Sequence, residues 1–138
     1  AIDMESEGQH LDPAALEHMY RRKTGRLLRA AVLSAACCPP GTDTEQTHHL
    51  ERFVDALGLA FQIRDDILDI EGSTEQIGKQ QGADIARDKA TYPALFGLEA
   101  ARTRMEESWT TAAAALDELR TPTEGLRGLA ELIVRREA

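Results

Sequence analysis

Apolar residues recur along this chain at the three- and four-residue spacing of helices, with no run of strand-like alternation. Asp12-Pro13 predicts a helix start, with Asp as the cap and Pro at the first helical position. From there Leu16, Met19, Tyr20, Leu27, Leu28, Ala31 and Val32 form an apolar stripe, and Cys37-Cys38-Pro39-Pro40-Gly41 stops it. Gly25 interrupts the stripe and points to close approach of another backbone. A polar loop, Thr42 to Thr47, leads to a second helix near His48 to Ile70, with Leu50, Val54, Leu57, Phe61, Ile63 and Leu68 on its apolar side. Gly72-Ser73-Thr74 is expected to end it, and residues 73–90 read as a loop with at most one short helix. A third helix from about Tyr92-Pro93 to Leu119 carries Leu95, Phe96, Leu98, Ala101, Met105, Trp109, Ala112, Ala113 and Leu116. After the break at Thr121-Pro122, a last helix from about Thr123 to Arg136 sets Leu126, Leu129, Ile133 and Val134 on one face. Four main helices with short connections predict an all-α fold, an antiparallel helical bundle.

The chain has 138 residues, the size of one domain, and its 42% hydrophobic and 29% charged residues are ordinary globular composition. Sixteen Lys and Arg against 24 Asp and Glu leave a net charge of −8, which argues against general nucleic-acid binding. No apolar run approaches the roughly 20 residues of a membrane span, and no secretory signal pattern is present. Cys37 and Cys38 are adjacent, so they cannot staple distant segments, and a reducing, cytoplasmic setting is expected. The chain opens at Ala1-Ile2-Asp3-Met4 with no initiator methionine, which suggests processing or a piece of something longer.

The densest chemistry lies in Phe61-Gln62-Ile63-Arg64-Asp65-Asp66-Ile67-Leu68-Asp69. On a helix Asp65 and Asp69 lie one above the other, Asp66 is rotated by about 100°, and Gln62 extends the face by a turn. Three carboxylates so close repel one another unless something neutralises them. A solvated acidic face accounts for the pattern as well as a bound Mg²⁺ does; Mg²⁺ suits carboxylate oxygens and bridges to phosphates. Two further features favour the metal. Tyr20-Arg21-Arg22-Lys23-Thr24-Gly25 brings basic groups to the first helix, and Lys79 and Lys89 flank Asp84 in the loop after the acidic helix. Carboxylates for a metal with lysines for phosphate suggest a diphosphate substrate held by Mg²⁺.

Lys23-Thr24-Gly25, the stretch Gly58 to Asp69, Gly78-Lys79-Gln80-Gln81-Gly82-Ala83-Asp84 and Lys89-Ala90-Thr91-Tyr92-Pro93-Ala94-Leu95 keep one order and spacing across nearly the whole chain. In these the chain resembles the C-terminal half of a trans-prenyl diphosphate synthase, most nearly the short-chain bacterial farnesyl diphosphate synthases. The resemblance implies the isoprenoid synthase fold and a head-to-tail condensation of isopentenyl diphosphate with an allylic diphosphate, dimethylallyl or geranyl, to give farnesyl diphosphate. It implies that Asp65, Asp66 and Asp69 form the family's second aspartate-rich motif and carry Mg²⁺ on the allylic diphosphate, with Asp84 as a further metal residue. Lys23, Lys79 and Lys89 are implied to hold the diphosphate, and Thr24 and Gln62 to line the cavity near the reacting carbons. Asp84 and Lys89 belong to a loop that closes over bound diphosphate, and Asp3 matches an acidic family position. Three Mg²⁺ per complete site, a homodimer and a cytoplasmic location are the family's expectations. No protein nucleophile is needed, in keeping with His10, His18, His48, His49 and the cysteines forming no catalytic set.

The first aspartate-rich motif and the residues that hold isopentenyl diphosphate belong to a half of the family domain that residues 1–138 lack, and Arg135-Arg136-Glu137-Ala138 lacks a terminal lysine that some members have. The chain alone is therefore expected to be inactive. A geranylgeranyl diphosphate synthase, a non-catalytic regulatory subunit of a heteromeric prenyl synthase and a terpene cyclase remain as alternatives, because product length is set mainly near the missing motif.

Overall fold

A computed structural model describes residues 12–36, 43–76 and 90–137. Among them every element is helical: α1 (Pro13–Tyr20), a π turn (Arg21–Gly25), α2 (Arg26–Ala36), α3 (Thr44–Gln76), α4 (Tyr92–Phe96), α5 (Leu98–Asp117) and α6 (Glu124–Arg135). The fold is all-α, as the periodicity predicts.

The start of α1 is built as expected: Asp12 accepts the Ala15 N–H at 2.7 Å, with Pro13 in the first turn. The expected stop at Cys37 to Gly41 lies outside the described residues. Helix α3 begins at Thr44 rather than near His48, because Asp43 caps it by accepting the Gln46 N–H at 2.8 Å. It also runs on to Gln76, through Gly72-Ser73-Thr74. One glycine costs about 1 kcal/mol in a helix interior, and ion pairs from Arg64 and Arg102 to Glu71 hold the preceding turn. The third predicted helix is divided into α4 and α5 at Gly97, whose φ of +91° lies where side chains other than glycine's are strained.

Helix α3 is the axis of the bundle. Its far end meets the start of α5 through Arg102 and Glu71, while Gln46 at its start meets Glu118 and Arg120 beyond the end of α5. The two helices are therefore antiparallel. The α1–π–α2 rod crosses α3 in the opposite sense too, with successive contacts Tyr20–Asp66, Thr24–Gln62 and Arg29–Asp55. Phe53, Val54, Ile63 and Ile67 of α3 join Leu16, Leu116 and Val134 in a fully buried core. Each such side chain contributes about 1.5–3 kcal/mol by leaving water. Two expected apolar faces are corrected. Leu27 is 75% exposed, and α6 buries Ala130 and Val134 while Leu129 is 57% exposed.

Gly25 and Gly58 explain how closely the rod approaches α3. A Cβ on Gly58 would stand 3.4 Å from the Gly25 Cα. The close approach expected at Gly25 is therefore real, and its partner is the glycine on α3.

Candidate active site

Helix α3 carries the acidic motif, and its neighbours divide the three aspartates into two environments. Asp66 faces inward and is 7% exposed. It accepts a hydrogen bond from the Tyr20 hydroxyl, and the Tyr92 N–H lies 3.4 Å from the same oxygen and 3.1 Å from the Tyr20 oxygen. Burial raises the Asp66 carboxyl above its usual range, partly offset by the bonds from Tyr20 and Tyr92. Burial, then the Asp66 charge, pushes the Tyr20 phenol up as well, so it stays a neutral donor. Tyr20 carries no signal as a site residue in the sequence beyond one general rule, that a buried phenol needs a partner, and Tyr92 takes part only through its backbone N–H.

One turn earlier on α3, the Thr24 hydroxyl donates to Gln62 Oε1 at 2.9 Å. Thr24 and Gln62 are thus brought together one turn from the Tyr20–Asp66 bond, and the two bonds form a polar seam between the rod and α3. The seam begins on the π turn, an irregularity that recurs at functional sites. Lys23 sits on that turn with its side chain exposed.

Asp65 and Asp69 lie on the outer side. Asp69 is exposed. Asp65 Oδ1 accepts from Arg136 Nη2 at 2.6 Å, and the Arg136 guanidinium lies over the Phe61 ring, 4.8 Å from its centroid. Arg64 donates twice to the Arg136 carbonyl, at 3.0 and 2.6 Å. Arg136 is a site neighbour that sequence reading misses, because 71 residues separate it from Asp65.

Lys79, Asp84, Lys89 and Asp3 lie outside the described residues. Among the described residues no three His, Cys, Asp or Glu side chains come together as a metal cage. The open carboxylates still suit a hard cation. Asp65 and Asp69 stand at i and i+4, and Asp65 already pairs with a positive charge. Mg²⁺ is commonly held by one or two carboxylates, with water and phosphate oxygens completing its shell.

The family model described as polyprenyl synthetase matches residues 1–121. The chain is 42% identical over 139 residues to farnesyl diphosphate synthase of Haemophilus influenzae, covering 100% of this chain and 47% of that protein. It is 43% identical over 137 residues to farnesyl diphosphate synthase of Geobacillus stearothermophilus, covering 99% of this chain and 46% of that protein. A crystal structure of a Marinomonas sp. MED121 protein assigned to the farnesyl-diphosphate synthases superposes with a TM-score of 0.77 at 33% identity, covering 96% of this chain and 44% of that one. The chain spans about half the length of the curated relatives it matches.

Proposed function

The chain belongs to the polyprenyl synthetase family, and from that premise we propose that it forms the diphosphate-binding half of a prenyltransferase. The reaction is condensation of isopentenyl diphosphate with dimethylallyl or geranyl diphosphate to give farnesyl diphosphate. The observation that carries this reading is the Thr24–Gln62 bond, which draws the Lys23-Thr24-Gly25 turn against the helix bearing the carboxylates. A cation for phosphate oxygens and carboxylates for a metal are then carried on two elements packed together.

Asp65 and Asp69 are the solvent-reached carboxylates that would hold Mg²⁺, Asp65 in place of its Arg136 partner, with Asp84 supplied by the segment outside the described residues. Asp66, the fourth metal residue implied by resemblance, is engaged by the Tyr20 hydroxyl and the Tyr92 N–H. Its role in this reading is to hold α3 in register rather than to meet the ion. Bound Mg²⁺, three ions in the complete site, supplies positive charge to the departing diphosphate. Lys23, Lys79 and Lys89 pair with diphosphate oxygens and fix the allylic substrate. Thr24 and Gln62, locked by their mutual bond, wall the cavity beside the reacting carbons. No side chain forms a covalent bond, so this half of the site works by positioning and by charge.

The working protein is a homodimer in the cytoplasm, and residues 1–138 alone are inactive. No helix among the described residues is long and apolar enough to cross a membrane. The test is to supply the remaining half of a family domain, add isopentenyl and geranyl diphosphates with Mg²⁺, and identify the product by mass. A fifteen-carbon diphosphate abolished by chelation supports the reading. No transfer at all overturns it and favours a regulatory subunit. A twenty-carbon product supports a second reading, favoured by the 40% identity over 104 residues to an Arabidopsis thaliana heterodimeric geranylgeranyl pyrophosphate synthase large subunit.

A further inference from the structure

We infer that Arg136 is the resident counter-cation of Asp65, and that this carboxylate holds either the Arg136 guanidinium or a divalent metal, never both. The inference rests on the reading of Asp65 as a metal-holding residue. Its own grounds are three contacts made by a single residue and one donor left without a partner.

The Arg136 Nη2 is 2.6 Å from Asp65 Oδ1, at the short end for a charged hydrogen bond. Its guanidinium lies against the Phe61 ring, 4.8 Å from the centroid. Its carbonyl is held by two donors of Arg64. Phe61, Arg64 and Asp65 lie within one turn and a half of α3, so a short stretch of helix grips the stack, the carbonyl and the charge of the same residue. The adjacent Arg135 turns to Glu106 on α5 instead. Two consecutive arginines therefore splay to different helices, and only one is directed at the acidic motif.

The remaining ground is an absent hydrogen bond. Arg136 Nε is buried and has no hydrogen-bond partner. The guanidinium thus gives up one donor to reach Asp65, the posture of a side chain drawn by a charge. Asp65 and Arg136 side chains remain 48% and 34% exposed, so an ion from solvent can reach the pair. A hexacoordinate Mg²⁺ binds a carboxylate oxygen at about 2.1 Å with waters around it. That shell and a guanidinium at 2.6 Å compete for the same Oδ1, and the two cations repel.

The experiment titrates Mn²⁺ alone into the full chain and follows free Mn²⁺ by electron paramagnetic resonance. Arg136→Ala is expected to tighten Mn²⁺ binding roughly two- to five-fold, the size of a partly exposed ion pair. It keeps the carbonyl that Arg64 holds, so α6 stays pinned. Phe61→Leu removes the stacking shelf without touching a charge and is expected to give a smaller gain in the same direction. Glu106→Ala, which frees Arg135, is expected to change nothing. Binding unchanged or weakened by Arg136→Ala, including no binding by either protein, overturns the inference. Asp65→Asn separates the two layers. If it abolishes Mn²⁺ binding while Arg136→Ala has no effect, only the counter-cation idea fails. If it leaves Mn²⁺ binding at the wild-type level, the metal reading of Asp65 fails, and the inference falls with it.

Discussion

Asp65 and Asp66 are neighbours in sequence and opposites in setting. Asp66 belongs to the seam between the α1–π–α2 rod and α3, where it is buried and bonded to Tyr20 and Tyr92. Asp65 belongs to the open side, where one arginine from beyond α6 is its partner. A rotation of about 100° along one helix separates a carboxylate built into the packing from one that can exchange its partner. The difference shows that an acidic motif is not a set of equivalent ligands. Its members are sorted by what the neighbouring helices already supply.

The widest split is expected from replacing each in turn. Asp65→Ala, assayed in the complete enzyme, is expected to lower turnover by orders of magnitude while the melting temperature hardly moves. Asp66→Ala is expected to cost about 3 kcal/mol in urea unfolding, because the Tyr20 hydroxyl and the Tyr92 N–H lose a buried acceptor. If the two variants behave alike in both assays, the contrast is broken.

Tyr20→Phe sharpens the same contrast from the other partner. It strips Asp66 of its buried hydroxyl donor and leaves the Tyr92 N–H with one acceptor fewer, an expected loss of about 1–3 kcal/mol. Thermal and urea unfolding that match wild type would show that the seam carries no stability.

A smaller effect is expected where the rod meets α3. Alanine at position 58 places its Cβ 3.4 Å from Gly25 and is expected to be nearly neutral. Gly58→Val adds two methyl groups to that contact and is expected to cost about 1–3 kcal/mol. A valine variant as stable as the alanine one would mean that the rod can shift away, and the Thr24–Gln62 bond should then be lost.

The smallest effect lies at a distance from both regions. The Gln46 N–H, then Arg120, hold the Asp43 carboxyl below its usual value of 3.8 in the folded chain. Its stabilising share is present above that value and is lost as pH falls through the folded one. Asp43→Asn is expected to flatten the acid side of the stability curve below about pH 4 and leave neutral pH nearly unchanged. Parallel curves for the two proteins would remove Asp43 from the account.

Much of the fold was legible from spacing alone. Leu16, Val54, Ile63, Ala112 and Val134 fall on predicted apolar faces and are buried. Gly25 announced a close approach that Gly58 completes. The run through Gly72 and the break at Gly97 were not legible. A glycine tolerated in a long helix and one held at positive φ are the same letter, and the surrounding packing decides between them.

The site divides in the same way. By itself the sequence determined that Gln62, Asp65, Asp66 and Asp69 stand within two turns of one helix, because spacing along a helix is a local fact. Only the tertiary structure decided that Asp66 is enclosed, that Asp65 meets Arg136 and that Thr24 closes on Gln62. Each of those outcomes depends on a partner far along the chain: Tyr20 lies 46 residues from Asp66, Thr24 38 from Gln62, and Arg136 71 from Asp65. The physical reason is that burial periodicity is written turn by turn along a helix, whereas a polar group's partner is chosen by which helix packs against it.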